Sequence, residues 1–99
     1  MLTAVLLSAL LVGAPCSDPG GADCTLKDWM KINLEQNLER RDFGRLAWAL
    51  RRLADATRRS KPDWFELARD AAIAAERKDE AKVKAQCEAC HEAYRRSRR

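Results

Sequence analysis

Past its first two dozen residues the sequence predicts an all-α fold, an antiparallel up-down-up-down four-helix bundle, on three observations. The residues are almost all helix formers, with no run of alternating apolar and polar positions. No Gly or Pro interrupts the chain between Gly44 and Pro62. Four amphipathic blocks follow one another through short links, and short links make successive helices run antiparallel.

The first helix is expected from about Leu26 to Arg40. Thr25, followed three residues later by Asp28, resembles a helix start, and Leu26, Met30, Asn33 and Asn37 fall on one face, flanked by Trp29 and Leu34. Asp42 can cap a second helix that ends near Arg58. Its stripe is Leu46, Leu50, Leu53 and Thr57 with Ala47 and Ala54 beside it, while Trp48 points the other way. Ser60, Pro62 and Asp63 signal a third start, with Trp64, Ala68, Ala71 and Ala75 as the stripe and Phe65, Leu67 and Ala72 at its margins. Asp79 caps the fourth helix, where Val83, Cys87, Cys90, His91 and Tyr94 share a face. A core this small supplies little stability, so a staple or a large apolar cofactor is expected.

The chain has 99 residues, room for one domain. Leu2 to Val12 is apolar, too short to span a bilayer as a helix, and runs into Gly13, Ala14, Pro15, Ser17, Pro19, Gly20 and Gly21, as a secretory h-region runs into its c-region. No Lys or Arg precedes Lys27, so the terminal amine alone supplies the positive n-region. Residues 1–22 read as export signal and tether, and 23–99 as the folded domain, with Ala14 and Ala22 as alternative cleavage points. Cys16 has three readings: a site of lipid attachment, one half of a short disulfide with Cys24, or a residue removed with the signal. Removal of Asp18 with the leader would raise the formal charge by one from the whole chain's +4. The basic residues are interspersed with acids except in the tail from Arg95 to Arg99, which suits the carbonyl pole of a helix. Nothing here predicts a nucleic-acid partner, and export argues against one.

Cys87-Glu88-Ala89-Cys90-His91 is C-x-x-C-H, the attachment pattern of c-type haem. On a helix these positions lie within one turn on one side, so both thiols can reach the vinyl groups on one porphyrin edge while His91 sits beneath the iron as fifth ligand. Two other readings use the same residues. A thioredoxin-like C-x-x-C sits at a helix N-terminus in a βαβ setting, whereas this one lies well inside a helix in a chain without strands. A zinc site would recruit Cys16, Cys24, Cys87 and Cys90, or His91 in place of one of them, and the first two lack knuckle spacing. His91 is the sole histidine, so bis-histidine ligation within one chain is impossible. With Met1 in the leader, Met30 is the one thioether left, either core filling on an apolar face or the sixth ligand.

The segment Val83-Lys-Ala-Gln-Cys87-Glu-Ala-Cys90-His91-Glu-Ala-Tyr94-Arg95 resembles the C-terminal haem helix of the cytochrome c-prime family, four-helix bundles with C-x-x-C-H near the end, an aromatic residue three positions after the His and a basic one next to it. A weaker similarity continues across Leu26 to Arg95, and Leu26-Lys-Asp-Trp-Met30 is similar to the first helix of low-spin members. The resemblance implies covalent haem c on Cys87 and Cys90, His91 and Met30 as axial ligands, Tyr94 packed near the haem and Arg95 as a cation near its proximal face. Arg95 has the alternative reading of one more exposed cation. The domain is shorter than typical members, so both a monomer and a homodimer remain open, with Trp48 as a candidate contact. The expected role is a periplasmic or outer-face-anchored electron carrier that docks on redox proteins, acidic ones by charge, and touches a membrane only through a lipid on Cys16. The alternative is a five-coordinate protein that binds nitric oxide or carbon monoxide. No acid–base constellation accompanies the motif, so an enzyme is not expected.

Overall fold

The structure is a computed structural model and describes residues 16, 18–21 and 24–98. The apolar run Leu2 to Val12 and both cleavage points, Ala14 and Ala22, lie outside the described residues. Among the described residues the regular structure is helical, with no strand, in four helices that pack compactly.

The first helix, α1, is one helical run in three pieces: α-helical Leu26–Met30, π-helical Lys31–Glu35 and α-helical Gln36–Glu39. The Asp28 N–H donates to Thr25 Oγ1 at 3.1 Å, so the expected cap is present. The π turn was not expected. The Gln36 N–H reaches back five residues to the Lys31 carbonyl, which widens the turn and rotates everything after it relative to a 3.6-residue stripe. Side-chain amides brace the widened backbone, Asn33 Nδ2 donating to the Trp29 carbonyl at 3.1 Å and Asn37 Nδ2 to the Asn33 carbonyl at 2.7 Å. Trp29, expected at the flank, is instead wholly buried at 0 % exposure.

The remaining helices are α2 (Phe43–Thr57), α3 (Pro62–Glu76) and α4 (Glu80–Ser97). Asp42 and Asp79 cap α2 and α4 through their carboxylates, accepting from the Arg45 and Lys82 N–H groups. At the start of α3, Pro62 takes the first position, where its missing N–H costs nothing, and Lys61 rather than Ser60 stands at the cap. The α1–α2 and α3–α4 turns share one design. Arg41 and Lys78 adopt left-handed backbone, at φ of 57° and 58°, and the N–H of the next residue, the capping Asp, bonds five residues back to Asn37 and Ala74 respectively.

Packing is uneven. The small buried residues of α3, Ala68, Ala71, Ala72, Ala74 and Ala75, let α2 and α4 approach it closely. By contrast α1 approaches only α2, and no Cα of α1 lies within 8 Å of one in α4. The core accordingly has two parts. One joins Leu46, Ala47 and Leu50 of α2 to the α3 alanines and Val83 of α4, with Cys87 at its edge. The other joins Trp29 and the Cys16–Cys24 disulfide to Ala49, Leu53, Ala54 and Ala68, with Met30 at its edge. Leu34 touches both. Of the three readings of Cys16, the structure shows the disulfide.

Candidate functional site

Between these two parts of the core lies a narrow crevice of about 30 Å³. Met30 and Leu34 line it from α1, and Leu50 and Leu53 from α2. Leu67, Ala68 and Ala71 form its α3 wall, and Gln86, Cys87, Cys90 and His91 its α4 wall. The crevice exists because α1 and α4 do not meet. In α4, Val83 is fully buried and seats the helix on the core, while the motif one and two turns further on lies at the edge of the α2–α3 core, facing α1 across the crevice. Cys87 and Cys90 are half-buried and His91 is exposed in consequence.

Four residues singled out from the sequence therefore meet: Met30 on one side, and Cys87, Cys90 and His91 on the other. Tyr94 and Arg95 do not line the crevice. Tyr94, 43 % exposed, sets its ring against Trp64 with centroids 5.6 Å apart, and the Arg98 guanidinium lies over the same ring, 5.5 Å from its centroid. Arg95 pairs with Glu92 at 3.1 Å, one turn back on the same helix and well exposed. Sequence reasoning missed Gln86 and Leu67 as lining residues. Gln86 adjoins the motif and Leu67 lies at the margin of its stripe, and neither position is distinctive until α1 stands off from α4.

The chemistry of the donors is specific. Cys87 and Cys90 are free thiols. Burial pushes both above the ordinary thiol range, and a neighbouring Cys90 thiolate would raise Cys87 further. Thiols held protonated at neutral pH are the opposite of a thioredoxin-type pair, whose attacking sulfur is held as thiolate. Cys16 and Cys24 are bonded to each other, which withdraws them from the four-cysteine zinc reading. Among the described residues no group of three or more His, Cys, Asp or Glu side chains is placed to hold a metal ion. A haem iron makes no such demand, since its macrocycle supplies four donors and the protein only the axial ones. One imidazole, one thioether and two thiols a turn apart are the donor types such a group would use.

Asn33 and Asn37 stood out as polar residues on the crevice-facing stripe. Their amide donors are engaged with the carbonyls of Cys16, Trp29 and Asn33, and neither side chain lines the crevice. A second, larger depression, lined by Lys61, Pro62, Asp63, Trp64, Ala93, Arg96 and Ser97, lies against the last turns of α4 and shares none of the crevice residues.

No family model, curated protein or solved structure matches this chain.

Proposed function

We propose that this protein is an exported monohaem c-type electron carrier, an up-down-up-down bundle that holds haem c through Cys87 and Cys90, with His91 and Met30 as its axial ligands. The observation that carries the reading is the convergence of Met30 with the whole C-x-x-C-H motif on one apolar crevice. The antiparallel order is supported from both ends of the molecule. Arg41, in the α1–α2 turn, pairs with Glu80 at the start of α4 at 2.9 Å, and the start of α3 and the last turns of α4 line one depression.

When bound, the haem supplies a one-electron Fe(III)/Fe(II) couple, and thioether ligation raises its potential. The chain's contribution is placement. Cys87 and Cys90 would fix the macrocycle edge to α4, which packs on α3. His91 would donate from the same turn, and Met30 from the facing helix would close the sixth position to substrate. Leu34, Leu50, Leu53 and Leu67 would exclude water and limit reorganisation as the charge changes. Exposed cations at the α3-start end of the molecule, Arg58, Arg59, Lys61, Arg96 and Arg98, suit an acidic redox partner.

A second reading rests on the Asn33 and Asn37 bonds. With those amides engaged by backbone carbonyls, the α1 wall offers the crevice Met30 and Leu34, an apolar surface that also suits nitric oxide or carbon monoxide on a five-coordinate iron. Visible spectra of the protein matured with haem separate the two. Carrier function requires sharp, split low-spin bands on reduction that Met30→Ala converts to high-spin bands. A high-spin wild type indifferent to Met30→Ala favours gas binding.

A further inference from the structure

We propose that the Cys16–Cys24 loop is a positioning clip that belongs to the working protein and holds α1, with Met30, across the crevice from His91. For its role toward the iron, the inference rests on the haem reading above. By backbone distance α1 approaches α2 alone, it contains a π turn immediately after Met30, and its first turn carries Trp29, which is wholly buried. The loop is part of its cover. Cys16 and Cys24 are both buried and join Trp29, Leu53, Ala54 and Ala68 in a single cluster, against whose edge Met30 packs.

Two further bonds fasten the loop. The Asn33 amide, inside the π turn, donates to the Cys16 carbonyl at 3.1 Å as well as to the Trp29 carbonyl, so one side chain couples the loop to the widened turn. Asp18 pairs with Arg52 of α2, so the loop bridges α1 to α2 by charge as well as by packing. The loop's own shape is written locally. In Asp18-Pro19-Gly20-Gly21 the Gly21 N–H donates to the Asp18 carbonyl with Gly20 at φ 70°, the geometry of a type II turn with Pro and Gly in their preferred places, and the Cys24 N–H follows by bonding the Gly21 carbonyl. The chain is thus turned back to bring its two cysteines together. A Cys16 sulfur bonded to Cys24 is not free for a lipid, so the proposal places any leader removal upstream of Cys16 and any membrane attachment elsewhere than on this sulfur.

The test uses the full-length gene expressed in a bacterium with a c-type haem maturation system. The intact mass of the exported protein is expected to include Cys16 and one disulfide, lost on reduction and alkylation. A chain that begins after Ala22, or a lipid on Cys16, overturns the proposal. The double variant Cys16→Ser/Cys24→Ser is then compared with wild type by amide exchange and by the rate of carbon monoxide binding to the reduced protein. Exchange across Leu26–Glu39 and carbon monoxide binding should both quicken by about tenfold to a hundredfold, the scale of releasing a short closed loop, while exchange in α3 and α4 stays put. Unchanged rates in both overturn the clip. Should the variant fail to accumulate, wild type reduced and alkylated after folding gives the same comparison. A high-spin wild type would refute Met30 ligation, and the exchange and carbon monoxide rates would still decide on the clip.

Discussion

Helices α1 and α3 stand at opposite extremes of how a helix can be held. α3 is seated by its own small side chains, with Ala72 and Ala75 fully buried and neighbours close on two sides. α1 approaches one neighbour and relies on devices that are not helix packing: a disulfide loop, an ion pair from that loop to α2, and amides bonded to backbone carbonyls. The contrast maps onto the candidate site. The C-x-x-C-H wall stands on α4, which packs on α3, while the wall that carries Met30 stands on α1, which packs on α2 and the disulfide loop. On the proposed reading, α4 would fix the cofactor and α1 would present its second ligand.

If that division is right, substitutions in the two regions differ in kind as well as size. Trp29→Ala should have the largest effect, about 3–5 kcal/mol by the usual cost of truncating a buried aromatic, and it should fall first on α1. Denaturant unfolding followed by both far-UV signal and exchange within Leu26–Glu39 would show α1 released before the rest, and a single concerted loss would blur the distinction. Ala72→Leu puts extra volume where none is free, and about 1–3 kcal/mol should be lost across α2, α3 and α4 together. Asn37→Ala leaves the half-buried Asn33 carbonyl without its amide donor and should cost about 1 kcal/mol, accompanied by faster exchange near the π turn.

The two smallest effects have opposite signs. Lys78→Gly removes the cost of a side chain in left-handed backbone and should raise stability by about 1 kcal/mol, read as a higher denaturant midpoint at unchanged slope. Arg51 and Glu76 pair at 2.6 Å on the exposed sides of α2 and α3. The hydrogen bond from Arg51 holds the Glu76 carboxyl below its ordinary value. A depressed carboxyl stabilises above its unfolded-state pKa, and the benefit fades as pH falls through the lower folded-state value. Glu76→Gln should therefore lower the melting temperature slightly at neutral pH and leave the most acidic part of the stability curve unchanged.

Most of the helical order was legible because it is local. Thr25, Asp42 and Asp79 act where their capping chemistry predicts, Pro62 opens α3, and the buried faces of α2 and α3 follow the 3.6-residue period. The candidate site was half legible. C-x-x-C-H is a local motif, so its shared face could be read directly, whereas the placement of Met30 opposite it depends on how α1 is hung. That in turn depends on tertiary features with no sequence period: the π turn, the amide bonds of Asn33 and Asn37, and Trp29 under the Cys16–Cys24 loop. Trp29 looks marginal on a helical wheel because part of its cover is a loop, beside the α2 and α3 residues of the same cluster. An eight-residue cysteine spacing beside a leader is equally compatible with lipid attachment and with a disulfide, and only the Pro19-Gly20 turn and the cover over Trp29 distinguish them.

The central claim is that Cys87 and Cys90 carry a covalently bound haem, and retention of colour on the denatured chain tests it most directly. Protein produced with the haem maturation machinery would be extracted with acidified acetone and the pellet weighed by mass spectrometry. The account predicts that the haem stays with wild type at a mass of chain plus one haem, and leaves Cys87→Ala/Cys90→Ala. A wild-type chain that comes through colourless, at the mass of polypeptide alone, would contradict it.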